Sequence, residues 1–280
     1  MEVGESRIHI LRWEPPAGTQ VKGRVFLVHG FAASVYCWRF LGPALAAEGY
    51  RVLAADYPPF GYSSTTAAGL AGPASTPEGR ASLLWRLLAA EDAAAGPDTA
   101  AGGWTIVGHS LGGRISAWMA LQRPEAVKRL ILIAPAVFGP IGSPGLASSG
   151  LFRSWLEANL GKALGDEATI RSSLTRAYGR RPDQAELEGY WAPFLRSEAL
   201  PALIAWARAA SERREPALAS IAAPTLVLWG SADRIVRPQG PRLARTIAGA
   251  RFVGIKGGSH CLMETQFGET WAAISAFLAD

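Results

Sequence analysis

The sequence predicts an α/β fold: a mainly parallel, doubly wound sheet with a helical segment inserted in the second half of the chain. Three observations carry this. Runs of strand length at residues 24–28, 51–55, 129–134 and 224–230 are apolar almost throughout instead of alternating, the pattern of strands covered on both faces. They alternate with stretches of helical period, as strand–helix–strand units do. From residue 138 to about 217 that alternation stops, and helical periodicity continues without a strong strand run. The expected organisation is a core made of residues 1–137 and 218–280, with residues 138–217 inserted as a helical cap.

Taken in order, residues 6–13 alternate enough for an opening strand, and Pro15-Pro16-Ala17-Gly18 breaks it. The buried strand at 24–28 ends in the loop His29-Gly30-Phe31. A helix over about 38–48 closes at Gly49, and the strand at 51–55 runs into Asp56-Tyr57-Pro58-Pro59-Phe60-Gly61-Tyr62-Ser63. Residues 65–77, rich in Thr, Ala, Gly and Pro, are expected to be loop, and 78–95 helix, stopped by Gly96-Pro97. The inserted segment opens on Gly139-Pro140-Ile141-Gly142-Ser143-Pro144-Gly145. Its aromatic residues Trp155, Tyr178, Tyr190, Trp191, Phe194 and Trp206 are expected mostly to pack cap on core, with a minority facing a pocket. Alternation then resumes with strand 224–230, helix 238–248, strand 251–255 and a closing helix that includes 270–278.

A chain of 280 residues that is 49% hydrophobic buries a core large enough for one sizeable domain with an insertion. The net charge of +5 comes with only 18% charged residues and adjacent arginines only at Arg180-Arg181 and Arg213-Arg214, so no nucleic-acid footprint is expected. The N-terminus, Met1-Glu2-Val3-Gly4-Glu5, is acidic and unlike a secretion signal, and no apolar run reaches membrane-spanning length. The expectation is a cytoplasmic protein with no membrane association. Two cysteines, Cys37 and Cys261, make neither a disulfide framework nor a metal-ligand pattern, and they read as partly buried free thiols.

The chemistry centres on Thr105-Ile106-Val107-Gly108-His109-Ser110-Leu111-Gly112-Gly113, a β-branched run, a serine flanked by glycines, then an amphipathic stretch. That is a strand, a sharp turn and a helix. In this G-x-S-x-G spacing Gly108 and Gly112 let strand and helix approach, and the elbow Gly108, His109, Gly112 projects Ser110 from its apex. A serine hydroxyl needs a positioned base, and the base needs an acceptor to hold its tautomer. Of the four histidines, His260 lies on the glycine-rich loop Gly257-Gly258-Ser259-His260 after the last strand, where an imidazole reaches the elbow. His9, His29 and His109 suit structural roles.

These residues, with His29-Gly30-Phe31 upstream, resemble the α/β-hydrolase fold family over nearly the whole chain, and among its members the capped serine hydrolases of the carboxylesterase kind. The resemblance implies Asp233, in Gly230-Ser231-Ala232-Asp233, as the triad acid, with Ser110 as nucleophile and His260 as base. Pro135-Ala136-Val137-Phe138, where some relatives keep the acid, holds no carboxylate, and Asp56 reads as a turn-stabilising group. It also implies the backbone N–H groups of Phe31 and Leu111 as the oxyanion hole. The turn at Asp56 matches the family's D-x-P-x-x-G-x-S, where the bulk of Tyr57 and Pro59 is expected to alter loop shape only. After His260 the chain departs from the family's Glu-then-Pro, which leaves the start of the last helix open, with Glu264 expected to cap or to form a salt bridge.

The activity implied is hydrolysis of a small apolar ester or acyl substrate through an acyl-enzyme on Ser110, with no metal and no organic cofactor. C–C bond hydrolysis, lactonase and thioesterase activity are alternatives on the same triad, and a ligand-binding protein of little turnover is an alternative of another class. Epoxide hydrolases and haloalkane dehalogenases carry aspartate where this chain has Ser110. Arg153, Arg171, Arg176, Arg180 and Arg181 of the inserted segment read as solvated helix faces ahead of a landing site for an acidic carrier, and no partner protein is expected from the sequence.

Overall fold

The computed structural model describes residues 1–72, 75–95, 102–138, 166–209 and 214–280. The connector 139–145, the helix stop at Gly96-Pro97, Arg153, Trp155 and Arg213 lie outside these residues. The described residues form ten strands: β1 Glu2–Val3, β2 Ser6–Arg7, β3 Ile10–Trp13, β4 Gly23–Val28, β5 Tyr50–Ala55, β6 Ser64–Thr65, β7 Trp104–His109, β8 Val127–Ile133, β9 Thr225–Gly230 and β10 Arg251–Ile255. The helices are α1 Leu41–Ala47, α2 Ala67–Ala71, α3 Pro77–Ala95, α4 Leu111–Gln122, α5 Glu167–Tyr178, α6 Gln184–Trp191, α7 Ala199–Ala209, α8 Gly240–Thr246, α9 Leu262–Thr265 and α10 Phe267–Ala279. No helix among the described residues is long and apolar enough to cross a membrane.

Seven strands form the main sheet in the order β10-β9-β8-β7-β4-β5-β3, all neighbours parallel except β3, which runs antiparallel to β5. Each buried strand splits its side chains between two cores. On β8, Leu130 and Leu132 join one cluster and Ile131 and Ile133 the other, and β9 divides Val227 and Trp229 from Leu226 and Leu228 in the same way. Helices cover both faces, α3 and α4 on the first and α1 and α10 on the second, which explains why these strands read as continuous apolar runs.

The strand order places the site. From β4 the chain crosses to β5 on one side, then returns to β7 on the other, so β4 and β7 flank the point where the winding reverses. At such a point the crevice beyond the carboxyl ends of the strands stays uncovered. Val28 and Gly108 pair there, which brings the loops starting at His29 and Ser110 together.

Three boundaries differ from expectation, and the start of the last helix, left open by the sequence, falls at Phe267. The opening strand is broken at Ile8 and His9, because Ile8 N–H bonds Met1 O (2.8 Å) and His9 N–H bonds Ser63 Oγ (2.8 Å), which turns the chain from the small β1-β2-β6 sheet into the large one. The helix expected over 38–48 is a 3₁₀ turn, Val35–Trp38, followed by α1. Within 65–77, expected to be loop, α2 forms because Thr66 caps it by accepting the Gly69 N–H at 3.1 Å. The last helix is preceded by α9, with a break at Gln266. Between β8 and β9 the described residues hold helices and no strand, as the sequence periodicity requires.

Candidate active site

Ser110 caps α4 at φ +53, ψ −119. A non-glycine residue persists at such angles only where its neighbours over-determine it. Here its N–H bonds Ile133 O (3.0 Å), and its carbonyl accepts Gly113 N–H (3.0 Å) and Ala136 N–H (2.9 Å). The flanking glycines are required by contact. A Cβ on Gly112 would lie 2.1 Å from Val28 O, and one on Gly108 would lie 2.5 Å from Gly112 O. Leu111 is the first helical residue, so its N–H has no partner within the helix.

His260 and Asp233 come from the loops after β10 and β9. These loops are joined by Ala232 N–H to Gly258 O (2.9 Å), and Gly230 packs so closely on Gly258 O that a Cβ would stand 2.2 Å from it. Asp233 Oδ1 accepts the N–H groups of Ile235 (2.8 Å) and Val236 (3.0 Å), which turns Oδ2 toward His260 Nδ1 at 2.8 Å. His260 is gripped along its backbone too. Its N–H bonds Ala177 O of α5 (3.0 Å), and its carbonyl lies 3.0 Å from His109 Nε2. A neutral imidazole next to a carbonyl must donate, so His109 carries its proton on Nε2, and burial holds its pKa well below the ordinary value. The structural role expected for this histidine includes a contact that no neighbour along the chain signals: its ring lies 4.7 Å from that of His260.

Ser110, His109 and His260 line a cavity of about 280 Å³ together with Gly30, Phe31, Ala32 and Ala33 of the loop after β4. Gly30 approaches the serine so closely that an added Cβ would lie 3.1 Å from Ser110 Cβ. The segment between β8 and β9 supplies Ile170, Ser173, Leu174, Ala177, Tyr190 and Phe194 to the wall, and Ile235 and Cys261 complete it. Its polar side chains are turned inward: Ser173 Oγ donates to Thr169 O (3.0 Å) and Tyr190 Oη to Glu264. Of the aromatic residues picked out in the sequence, Tyr190 and Phe194 reach the cavity, while Tyr178 and Trp206 are buried in packing. Cys37 and Cys261 are buried free thiols whose pKa burial pushes up, which keeps them protonated.

Several residues outside these two loops fasten the segments around the cavity. Asp56 is fully buried and accepts Val35 N–H (2.7 Å) and Tyr62 N–H (2.9 Å), with His9 Nδ1 at 2.8 Å, so it fastens the turn as expected. Glu264 is also buried and forms a salt bridge with Arg39 while accepting from Tyr178 Oη (2.7 Å) and Tyr190 Oη. Tyr57, expected only to shape its loop, hydrogen-bonds across to the loop after β4. Between β8 and β9, Arg171 pairs with Glu167 and Arg180 with Glu186. Among the described residues no cluster of histidine, cysteine and carboxylate side chains is arranged to hold a metal ion.

A family model described as the alpha/beta hydrolase fold matches residues 23–267. The pimeloyl-[acyl-carrier protein] methyl ester esterase of Neisseria meningitidis serogroup C is 29% identical over 242 residues, 85% of this chain and 86% of that one. The uncharacterized hydrolase YugF of Bacillus subtilis (strain 168) is 27% identical over 211 residues, 75% of this chain and 72% of its own. Among solved structures, the esterase EaEST from Exiguobacterium antarcticum superimposes with a TM-score of 0.76 at 18% identity, over 98% of this chain and 96% of that one, a likeness of fold.

Proposed function

Since the chain belongs to the α/β-hydrolase fold family and is a hydrolase, we propose that it cleaves small apolar carboxylic esters through an acyl-enzyme on Ser110. His260 takes the Ser110 proton as the oxygen attacks the ester carbonyl. The tetrahedral oxyanion rests on the Phe31 and Leu111 N–H groups, donors fixed before the charge develops. Collapse expels the alcohol, to which His260 returns the proton. A water deprotonated by His260 then attacks the acyl-enzyme and releases the acid, which restores Ser110. Asp233 keeps the His260 proton on Nδ1, leaving Nε2 for both transfers, and stabilises the imidazolium. On this reading residues 138–217 form the cap, and α5 and α6 supply the acyl wall.

The observation that carries the reading is the convergence of Ser110 and His260 on one cavity, with His260 Nδ1 2.8 Å from Asp233 Oδ2. The apolar wall, whose hydroxyls are bonded inward, supports an uncharged acyl group. The similarity to an esterase over most of both chains points the same way. The test is a series of p-nitrophenyl esters from acetyl to palmitoyl, run on the native protein and on Ser110→Ala, with fluorophosphonate labelling in parallel. Serine-dependent turnover with an optimum chain length is expected, with a loss of at least about a thousandfold in Ser110→Ala. Labelling of Ser110 without ester turnover would transfer the triad to another substrate, C–C bond cleavage first.

A further inference from the structure

The loop after β4 carries a hydrogen-bonded arrangement whose side chains, His29 and Tyr57, are not among those that line the cavity. His29 is fully buried, and its ring stacks on that of Tyr57 at a centroid separation of 4.3 Å and an interplanar angle of 4°. The Tyr57 hydroxyl lies between two consecutive carbonyls, 3.1 Å from His29 O and 3.3 Å from Gly30 O. His29 Nδ1 is 2.8 Å from the same Gly30 O, while His29 Nε2 faces the Tyr57 N–H at a long 3.4 Å. The Asp56 carboxylate is 3.8 Å from Nε2, outside hydrogen-bond range. These partners decide the tautomer. Tyr57 N–H can only donate, so Nε2 is the bare nitrogen, and Nδ1 carries the proton that it gives to Gly30 O. Burial lowers the His29 pKa and so favours the neutral ring, and burial also keeps the Tyr57 hydroxyl protonated.

Gly30 O belongs to the same peptide unit as Phe31 N–H. Among the described residues the only cis peptide is Pro58–Pro59, so the Gly30–Phe31 bond is trans, and its carbonyl and N–H point in opposite directions from a rigid plane. We infer that Tyr57 and His29 are positioning residues of the oxyanion hole, which grip the carbonyl end of this peptide and thereby aim its N–H end at the oxygen that develops above Ser110. Ala33 N–H closes the turn on the same oxygen at 3.4 Å, and Ala32 sustains that turn at φ +55. Donors on the carbonyl also polarise the amide, which strengthens the N–H on its far side. Neither side chain touches substrate. Both act through the Phe31 amide.

The inference rests on the serine-esterase reading, and the two fail separately. Tyr57→Phe keeps the ring and its stacking and removes only the hydroxyl. Thr225→Val removes another buried hydroxyl bonded to a carbonyl, Ala223 O at 2.8 Å at the start of β9, far from the cavity. For each we would measure kcat and KM on the best p-nitrophenyl ester, thermal stability, and the inhibition constant of a trifluoromethyl ketone, which adds Ser110 and places an oxyanion in the hole. Removing an oxyanion donor outright typically lowers kcat a hundredfold to a thousandfold. For a donor left in place but loosely aimed, Tyr57→Phe is expected to lower kcat about tenfold or more. KM should stay within about twofold, the ketone should weaken by the same factor as kcat, and the pH profile of kcat/KM should not move. Thr225→Val is expected to lose stability with both constants within about twofold of native. A folded Tyr57→Phe protein that keeps kcat and the inhibition constant overturns the inference. So does loss of kcat without weakening of the ketone. On the native protein, ¹⁵N NMR of the imidazoles is expected to find His29 neutral with the proton on Nδ1 at pH 7, and a proton on Nε2 overturns the inference without any variant. Failure of the underlying reading shows instead as unchanged turnover in Ser110→Ala.

Discussion

At the scale of single residues, the site is held by contacts that leave no room for an added atom. Gly112 stands against two carbonyls of the strand-end loop, Val28 O and His29 O, neither of which can swing aside as a side chain would. Gly112→Ala is expected to cost more than about 3 kcal/mol, measured by urea unfolding, because relief requires backbone movement in β4 or α4. The buried histidines give a second prediction. Burial lowers the pKa of both His29 and His109 below the ordinary 6.5. In the unfolded chain each ring binds a proton as pH falls through about 6.5 while the folded ring stays neutral. Their contribution to stability is therefore complete above that pH and is lost as pH drops toward the folded value. Glu264 acts in the opposite sense: burial raises its pKa, so its contribution is complete below the ordinary 4.5 and is lost as pH rises through the folded value. His109→Gln isolates one imidazole. Its stability should fall less steeply than the native protein's between pH 6.5 and 5, by up to about 1.4 kcal/mol per pH unit, and parallel curves would contradict this.

At the scale of elements, a buried carboxylate and a backbone bond tie α5 and α6 to the core, beside Tyr36 Oη donating to Ala185 O (3.0 Å) and Arg39 pairing with Glu186. Tyr178 closes α5 and Tyr190 lies in α6, and both hydroxyls end on Glu264 of α9, which Arg39 also reaches from the loop before α1. Ala177 O, one residue earlier, holds the N–H of His260. The helices that wall the cavity are thus fastened to the same loop that carries the proposed base. Glu264→Ala leaves two buried hydroxyls and a guanidinium short of an acceptor, and is expected to cost about 3 kcal/mol. Because that loss loosens the wall on one side and leaves Asp233 and Ser110 untouched, KM should rise by a larger factor than kcat falls. Equal effects on the two would place Glu264 in the chemistry itself.

At the scale of the whole molecule, the sheet separates two cores, and this sets how mutations combine. Leu45 of α1 and Leu84 of α3 are both fully buried, in different clusters on opposite faces. Leu45→Ala and Leu84→Ala are each expected to cost about 2–5 kcal/mol, according to how far each cavity collapses. The double variant should equal the sum within about 0.5 kcal/mol, as sites without shared partners do. A large coupling energy would mean that the two faces communicate through the strands.

Much of this was legible along the chain because its causes are local. Period and apolarity mark a strand buried on both faces wherever it lies, so β4, β5, β7, β8 and β9 were readable, and G-x-S-x-G marks a tight strand-to-helix turn because only small residues fit one. Ser110 and His260 were readable from glycine-rich loops at strand ends, and Asp233 was implied by the likeness of its loop to the family's acid-bearing loop. What only the tertiary structure decided is the set of contacts between segments far apart in sequence. Tyr57 and Gly30, His109 and His260, and Glu264 with Tyr178 and Tyr190 have ordinary neighbours along the chain and no periodic signature. Their partners are chosen by the reversal of winding between β4 and β7 and by the packing of α5 on the base loop. A hydrogen bond across 27 or 151 residues is specified by where two backbones meet, and that meeting is a property of the whole folded chain.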